Sequence, residues 1–336
     1  LFSWAEIIQS HVLHLYMLAA PDYLGVDGAP ALAAAYPEIM ARALKLKGAA
    51  NGLSKAIGGR EVHPVVPKVG GFYDVPTESE LTHLAEHFKE ARGDALATLE
   101  MVAGFDLPEL GREADFLCLS HDEVYALNEG DVRTFSGLVF PVRDFLKHVG
   151  ERQVAHSNAL QCYLQGAGSY QTGPLARVNI NHRHLSKTTR ESLSSLGFSF
   201  PSQNPFHSII ARAAEIITGF DECIELMDGF VPVPEEPLIE PRAGEGFGIS
   251  EAPRGSLFHR YEFNDDGIVR RAHLIPPTSQ NLARIEDDLM IWTPGLLDKP
   301  KEEMALACEM LIRSYDPCIS CATHFLKVDV MDNDGD

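Results

Sequence analysis

Two cysteines near the C-terminus are the residues of this sequence best suited to metal chemistry. They belong to Asp-Pro-Cys-Ile-Ser-Cys-Ala-Thr-His at residues 316–324, where the thiols are three residues apart and an imidazole lies three residues further on. One turn of chain can present both sulfurs to a single metal, and thiolates select nickel, zinc, copper(I) or iron–sulfur species over hard cations. A helical pattern from Lys301 to Ser314 leads into the motif, and Pro317 is predicted to stop it.

The spacing of the two cysteines leaves several kinds of site open. A lone Cys-x-x-Cys is compatible with half of a zinc site or with a thioredoxin-type redox pair. A c-type haem requires a histidine directly after the second cysteine, and this sequence has Ala322 there, which excludes haem. A thioredoxin-like pair follows a strand, whereas this pair follows a predicted helix. Metal binding is therefore the favoured interpretation.

The composition is that of an ordinary globular chain with strong acidic charge. The 336 residues are 45% hydrophobic and 23% charged, and the net charge is −20 from 28 basic and 48 acidic side chains. This charge disfavours binding to nucleic acid or to an anionic membrane, because both need a basic surface. Six unevenly spaced cysteines are typical of a reducing compartment. No apolar run reaches the roughly 18–20 residues that would span a bilayer.

Long helical patterns dominate the first hundred residues. Residues 4–20 are apolar almost all round, which is typical of a buried helix, and Pro21 is predicted to end it. Residues 29–57 form an Ala-rich helical pattern, and the capping-box pair Thr77 and Glu80 opens a third long helix. The sequence therefore predicts a core made of long helices.

Two histidines of the first helix, His11 and His14, share one face because they are three residues apart. Such a pair could ligate a metal, but a buried histidine with satisfied hydrogen bonds is the commoner case. We therefore expect core histidines.

The second half of the chain contains predicted strands. Between residues 114 and 178, short β-rich segments alternate with turns; they lie at 115–119, 138–142 and 153–156. A long helix is predicted from Asn204 to about Met227. Residues 231–248 are rich in Pro, Glu and Gly, which predicts an irregular excursion.

A β-hairpin is predicted around Asn-Asp-Asp-Gly at 264–267, because alternating segments flank it on both sides. A Pro-Arg-Gly loop at 253–255 precedes the hairpin, and a Pro-Thr loop at 277–278 follows it. Both loops are expected at the same end of the hairpin, close together.

Motifs along the whole chain resemble one protein family. Residues 316–324 resemble the C-terminal signature of the large, catalytic subunit of nickel–iron hydrogenases. Further motifs resemble the same family in the family's order; they lie at 10–14, 19–22, 59–64, 173–177, 252–255 and 277–281. The form Leu-Ala-Ala-Pro-Asp at 18–22 most resembles the cytoplasmic, cofactor-coupled branch. The resemblance implies one domain over residues 1–336, mostly α with smaller β elements, and a cytoplasmic location.

The resemblance also implies a nickel–iron centre that is held by four cysteines from two Cys-x-x-Cys motifs, with carbon monoxide and cyanide on the iron. Cys318 would be a terminal nickel ligand that can accept a proton, and Cys321 would bridge nickel and iron. His324 would ligate magnesium or a similar divalent ion.

Around this centre, the resemblance places Arg254 above the open position between the metals and Asp316 beside it as the carboxylate that orients the guanidinium. Thr278 would donate a hydrogen bond to a cyanide, with Pro253 and Pro277 as neighbouring cofactor-binding residues. The residue types alone leave alternatives open: a surface ion pair for Arg254, a helix cap for Asp316 and an ordinary turn hydroxyl for Thr278.

The two ends of the sequence depart from the family's pattern. The family's first Cys-x-x-Cys lies near its N-terminus, whereas the first cysteine here is Cys118. We interpret the chain, which begins without Met inside a helical pattern, as N-terminally incomplete. The segment 325–336 is expected to be a frayed tail or one that a maturation endopeptidase removes.

The expected function is the reversible heterolytic cleavage of dihydrogen into protons and electrons. Electrons would leave through an iron–sulfur small subunit, because this chain lacks cysteines for clusters of its own. A further subunit would pass them to NAD(P), a deazaflavin or another acceptor. One alternative is a non-catalytic structural subunit related to quinone-coupled respiratory complexes. Another is a zinc site made by Cys318, Cys321 and His324.

Overall fold

Helices make up the larger part of this computed structural model, which describes residues 1–233 and 239–317. The first helices are α1 (Phe2–Leu13), α2 (Ala20–Leu24), α3 (Gly28–Ala35), α4 (Pro37–Gly58) and α5 (Glu78–Ala103). Later helices are α6 (Phe145–His148), α7 (Pro174–Asn181), α8 (Lys187–Ser195), α9 (Ser208–Met227), α10 (Pro277–Trp292) and α11 (Lys301–Tyr315). The predicted class, mostly α with smaller β elements, is confirmed.

The first predicted helix does not end at Pro21. Residues His14–Ala19 are π-helical and connect α1 to α2, and Pro21 lies in the first turn of α2. A proline is tolerated there because the N–H that it lacks would have no helical partner. The helical stretch ends instead at Gly25, whose φ of 67° is a left-handed cap.

The predicted helix over 29–57 is two helices that meet at Tyr36. This residue has φ −135° and ψ 65°, outside the helical region. Pro37 is the cause, because a proline ring disfavours helical geometry in the residue before it.

The largest hydrophobic core surrounds α9, which packs against α1, α5 and α7. An apolar stripe on α9 that includes Ile209, Ile210 and Ile217 is buried there. Gly219 allows a close approach, because a Cβ at this position would lie 2.8 Å from the Trp4 side chain. The predicted helix from 204 to 227 is confirmed, with a short 3₁₀ turn before it.

The capping box that opens α5 is formed as predicted. Glu80 N donates to Thr77 Oγ1 at 3.2 Å, and Thr77 N donates to Glu80 Oε2 at 2.8 Å. Thr77→Ala should lower the free energy of unfolding by about 1 kcal/mol, because it leaves a helix-end N–H without its acceptor. Urea denaturation of the purified protein measures this, with Ser79→Ala in the same turn as the control. Equal losses in the two variants would contradict the prediction.

Within the described residues, four small sheets accompany the helices. Their strands are β1 (Pro67–Lys68), β2 (Gly71–Phe72), β3 (Asp115–Ser120), β4 (Asp131–Thr134), β5 (Val139–Phe140), β6 (Val149–Arg152), β7 (Gln161–Leu164), β8 (Tyr170–Gln171), β9 (Gly244–Ala252), β10 (Gly255–Phe263) and β11 (Val269–Ile275). β1 pairs with β2 and β6 with β7, while the larger sheets have the orders β5-β4-β3-β8 and β11-β10-β9. All pairs are antiparallel except β3 with β8.

Two of the predicted strands in the middle of the chain need correction. The strand at 138–142 shortens to β5, and 153–156 is not a strand because pairing stops at Arg152. There the Gln153 side chain donates to the carbonyls of Val154 and Ser157, which stabilises a turn. The strand at 115–119 is confirmed as β3.

The predicted hairpin is confirmed as β10 and β11, which pair from Phe258 with Ile275 to Phe263 with Val269. The irregular excursion over 231–248 is wrong from Gly244 onward, since β9 pairs with β10 along its full length. The Pro-Thr loop is also wrong, because Pro277 opens α10. Among the described helices, none has both the length and the hydropathy needed to cross a bilayer.

Candidate metal centre

Arg254 and Asp316 come together although they are far apart in sequence. Arg254 lies in the tight turn between β9 and β10, and Asp316 directly follows α11. Arg254 Nε is 3.1 Å from Asp316 Oδ2; the arginine side chain is 34% exposed and the aspartate side chain only 1%. The pair therefore joins a buried carboxylate to a guanidinium that keeps one accessible side.

Backbone geometry fixes where the Asp316 carboxylate lies. Its φ of 53° and ψ of 53° are left-handed, and its N–H donates to Arg313 O at 3.0 Å, so the residue closes α11. Glycine usually takes this position, and aspartate is one of the few other residues that tolerate it. Asp316 thus caps the helix with its backbone while its side chain reaches Arg254.

The other predicted site residues are placed less closely. Pro253, half-buried, directly precedes Arg254, and Thr278 is half-buried in the first turn of α10, next to Pro277. Within the described ranges, Thr278 makes no hydrogen bond or ion pair with Arg254 or Asp316.

The proposed metal ligands lie just beyond the described chain. Cys318, Cys321, His324 and the tail 325–336 are outside the described residues, which end at Pro317. Asp316, two residues before Cys318 in the sequence, is buried beside Arg254.

His11 and His14 are buried and hydrogen-bonded, as expected of core histidines. His11 Nε2 lies 2.6 Å from Glu215 Oε2, and His14 Nε2 lies 2.7 Å from Arg313 O. Burial is the main cause that lowers the pKa of His14 well below its ordinary value, and the positive charge of Arg212 adds to it. Both rings are therefore neutral in the folded protein.

Several buried polar atoms near Asp316 lack a hydrogen-bond partner within the described part of the chain. They are His11 Nδ1, His14 Nδ1, Ser208 Oγ and Arg212 Nε. Arg212 donates through Nη1 to Ser314 O at 3.0 Å, and burial lowers its pKa to about 10 against the opposing effect of Asp316. Buried donors normally have acceptors. Ser208 Oγ and Arg212 Nε can donate, and Arg212 is a cation, so these two suit a group rich in acceptor atoms and negative charge. The Nδ1 atoms of the two neutral histidines can only accept, because each Nε2 carries the ring proton toward an acceptor oxygen.

A buried arginine, Arg177 on α7, belongs to the same region. It forms a two-pronged ion pair with Glu215, at 2.6 Å from Nε and 2.9 Å from Nη2. Sequence analysis assigned no role to either residue. A signal was present: Arg212 and Glu215 are the only charged residues in the apolar run 208–220. Charges inside an apolar helix stripe mark a functional or paired site.

Comparison with known proteins places this arrangement in a family. The model of the nickel-dependent hydrogenases matches residues 167–324. The sulfhydrogenase 2 alpha subunit of Pyrococcus furiosus is 30% identical over 329 residues, which cover 97% of this chain and 77% of that protein. The chain belongs to the nickel-dependent hydrogenase family. It is a large, catalytic subunit, an oxidoreductase that acts on dihydrogen at a nickel–iron site, and nothing in the comparisons supports the non-catalytic alternative.

Other relatives agree with this assignment. One subunit of the F420-non-reducing hydrogenase of Methanothermobacter thermautotrophicus is 27% identical, and the match covers all of this chain and 79% of that protein. An NAD⁺-reducing nickel–iron hydrogenase in the H2-reduced state has the same fold, with a TM-score of 0.80, 23% identity and coverage of 96% of this chain and 78% of that one. The nickel–iron–selenium hydrogenase of Desulfovibrio vulgaris Hildenborough gives a TM-score of 0.74, 22% identity and coverage of 96% and 80%.

The other cysteines of this hydrogenase chain are unsuited to hold the metals. Cys118, Cys162, Cys223 and Cys308 are all buried free thiols. Burial raises the pKa of Cys162 and of Cys223 to about 12, so both are protonated at neutral pH. No cluster of three or more His, Cys, Asp or Glu side chains in the described ranges could hold a metal ion.

The stability of the protein should fall as the pH drops from about 6.5 to about 4. Burial lowers the pKa of His11 from 6.5 to about 4, although Glu215 opposes the shift. Between these pH values His11 takes up a proton in the unfolded chain but not in the folded chain, so acid favours unfolding. The contribution of His11 is on the order of 2–3 kcal/mol.

Urea denaturation from pH 7.5 to pH 4.5 measures this loss, with His11→Gln as the comparison. Glutamine keeps a donor for Glu215 but does not titrate, so the variant should lose less stability over this interval. Equal pH slopes in the two proteins would show that His11 does not carry the effect.

Proposed function

We propose that Cys318 and Cys321, which follow Pro317 in the sequence, would hold the nickel–iron centre of this hydrogenase, with Cys318 as a ligand of the nickel. The observation that supports this most is the pair of unpartnered buried donors, Ser208 Oγ and Arg212 Nε, in the region of Asp316. Thiolates, and carbon monoxide and cyanide ligands on iron, have the negative charge and acceptor atoms that such donors suit. When bound, the centre supplies a polarising metal that promotes heterolytic cleavage of dihydrogen.

We assign the roles of the surrounding side chains from their chemistry. Arg254 brings a planar, positively charged guanidinium, which orients and polarises the reactant. Asp316 holds the guanidinium in place from its buried position, 3.1 Å away. The Sγ of Cys318 is the atom that takes up the proton released on cleavage.

The hydroxyl of Thr278 is proposed to donate a hydrogen bond to a cyanide ligand. Its place in the first turn of α10, whose backbone N–H groups have no helical acceptors, suits an anionic neighbour. Pro253 and Pro277 would contact the same ligands beside it. His324 is proposed to bind a magnesium or similar divalent ion.

The electrons require partners, and we propose that the first of them is an iron–sulfur small subunit. The four described cysteines are buried and not clustered, so they provide no cluster site in this part of the chain. A further subunit would pass electrons to NAD(P), a deazaflavin or another acceptor. We further propose a cytoplasmic location, a single domain over residues 1–336, and a tail over 325–336 that a maturation endopeptidase can remove.

Replacement of one thiolate tests the proposed centre. Cys318→Ala in the full chain, matured with its partners, should lower nickel content and dihydrogen-dependent dye reduction by more than about a hundredfold, since even outer-shell changes cost 10–100-fold in metal affinity. Cys308→Ala removes a buried thiol elsewhere and should keep both. Nickel retained at wild-type level in Cys318→Ala would overturn the assignment.

A further inference from the structure

Arg177 donates hydrogen bonds to the backbone of the turn that carries Arg254. Arg177 Nη1 donates to Ala252 O at 2.8 Å, and Nη2 donates to Pro253 O at 3.1 Å. These are the carbonyls of the two residues directly before Arg254. One fully buried guanidinium therefore fixes both peptide planes that lead into the proposed catalytic arginine.

The other side of Arg177 is fixed in turn by carboxylates. Its ion pair with Glu215 is two-pronged, and Glu251 Oε2 lies 3.3 Å from Nη1. Glu215 also accepts from Tyr125 Oη at 2.7 Å and contacts His11. All these groups are buried, so the guanidinium has a single possible orientation.

Backbone contacts bring the turn and the start of α7 together. Gly173 has φ 108°, and a Cβ there would lie 2.7 Å from Arg254 O. Gly255 has φ 137°, and its Cβ would lie 2.5 Å from the Thr172 side chain. Arg177 N donates to Gly173 O at 2.9 Å, so the arginine stands one helical turn beyond this contact. Two glycines thus allow the close approach that lets Arg177 reach the turn.

We propose that Arg177 is a positioning residue of this hydrogenase: it fixes the backbone of residues 252–254 so that the Arg254 guanidinium meets Asp316. The proposal rests on the catalytic role proposed above for Arg254. Lysine cannot replace Arg177, because a single ammonium cannot donate to a carboxylate and two carbonyls in one plane as a guanidinium does.

The test is a double-mutant cycle on the mature complex. Arg177→Lys should lower dihydrogen turnover by about 10–100-fold, because small misplacements of a catalytic group have effects of this size. Arg177 acts through Arg254, so the double variant Arg177→Lys/Arg254→Lys should be no slower than Arg254→Lys alone. Amide hydrogen exchange at residues 254–256 should rise in Arg177→Lys, while nickel content stays at the wild-type level. Arg92→Lys is the control. Arg92 lies on α5 and pairs at 2.6 Å with Asp221, which is on α9 like Glu215 but away from the turn.

The possible outcomes separate the two proposals. Unchanged turnover in Arg254→Lys would reject the role of Arg254 itself. A slow Arg254→Lys with wild-type turnover and exchange in Arg177→Lys would reject only the positioning role. Losses that simply multiply in the double variant would also reject it, since they would show that Arg177 acts independently of Arg254.

A second site stands apart from the metal centre, on the outer face of α5. His83 and His87 are exposed, and their ring centroids are 4.3 Å apart at an interplanar angle of 61°. The opposite face of the helix buries Leu84 and Phe88 in the core. Residues four apart on a helix lie on one face, so both imidazoles can reach a single ion.

We infer that His83 and His87 bind a divalent transition-metal ion of the zinc class, with water at the remaining positions. Imidazole suits zinc, copper and nickel, and helical histidines four residues apart are zinc ligands in metallopeptidases. The order His-Leu-Ala-Glu-His also matches one peptidase motif. Peptidase chemistry does not follow here, because Glu86 pairs with Lys89 at 2.9 Å and the described residues offer no third ligand.

Calorimetric titration of the untagged complex with zinc chloride tests this site. The wild type should bind one more zinc ion than His83→Ala or His87→Ala, or bind it at least about tenfold more tightly. Alanine favours the helix, so both variants should fold. His156→Ala removes an exposed imidazole elsewhere and should bind zinc like the wild type. Identical zinc binding by wild type and His83→Ala would overturn the inference.

Discussion

Replacing Arg254 by lysine should lower dihydrogen turnover by about a hundredfold while nickel content stays the same. The loss has this size because removal of one preorganised electrostatic donor from an active site costs about 10²–10³ in turnover. Lysine keeps the positive charge but loses the planar group that Asp316 holds at 3.1 Å. Stability should change by less than about 1 kcal/mol, because the arginine side chain is 34% exposed and partly exposed ion pairs contribute little.

The neighbouring strand offers a closely matched control. Arg260 lies on β10, is also 34% exposed, and forms an ion pair of 2.6 Å with Glu245. Arg260→Lys makes the same chemical change away from Asp316 and should leave turnover unaltered. Turnover should be measured by dihydrogen-dependent dye reduction on both purified complexes. An Arg254→Lys enzyme as active as the Arg260→Lys control would remove Arg254 from the catalytic residues.

Local chemistry explains which parts of the fold the sequence predicts well. The capping box at Thr77 and Glu80 and the Asn-Asp-Asp-Gly turn are each complete within four residues. Their energetics depend on neighbours in the chain, so the pattern is sufficient to predict them. The apolar stripe of α9 is equally easy to predict, because its isoleucines face one continuous core.

Helices α7 and α10 escape prediction because they bury polar side chains. In α7, Asn179 donates to Ser202 O at 2.8 Å and Asn181 to Leu119 O at 2.9 Å. In α10, Gln280 and Asp288 are fully buried as well. Such helices have no clean apolar stripe, since their inward faces are satisfied by partners far away in sequence. Proline at the first helical position, Pro174 and Pro277, is the local signal that does indicate them.

The pairings at the site depend on contacts that no short pattern contains. Arg254 and Asp316 are 62 residues apart (316 − 254), and Arg177 and Glu215 are 38 apart. Family resemblance supplied the first pair because its motifs are distinctive in sequence. It did not supply the second pair, because Arg177 contacts the carbonyls of Ala252 and Pro253, and a backbone contact leaves no side-chain pattern in the sequence. Strand β9 was missed for a similar reason, because its pairing with β10 overrides a Gly- and Glu-rich local composition.

Replacing Arg313 by methionine should lower the free energy of unfolding by about 3–5 kcal/mol. The Arg313 side chain is 1% exposed; it lies 2.6 Å and 2.9 Å from the two carboxylate oxygens of Asp22, and 3.0 Å from Glu309. When the guanidinium is removed, the carboxylates of Asp22 and Glu309 stay largely buried but lose this positive charge beside them. Urea denaturation measures the effect. Lys89→Met breaks an exposed pair with Glu86 and should leave the free energy of unfolding almost unchanged. A loss in Arg313→Met no larger than in Lys89→Met would contradict the prediction.

The ion pair between Arg313 and Asp22 joins α2 to the end of α11. A double variant can therefore separate its contribution to stability from its contribution to the position of Asp316. Arg313 O also contacts His14 Nε2 at 2.7 Å and accepts the N–H of Asp316, so the cap that places Asp316 is built on Arg313. The double variant Asp22→Leu/Arg313→Met replaces the pair by apolar side chains and should recover most of the lost stability, because a well-packed apolar pair is often as stable as a buried ion pair. Turnover should not recover with it, because methionine keeps the backbone carbonyl but loses the directional ion pair with Asp22 that fixes the end of α11. Recovery of both would show that Arg313 contributes packing alone.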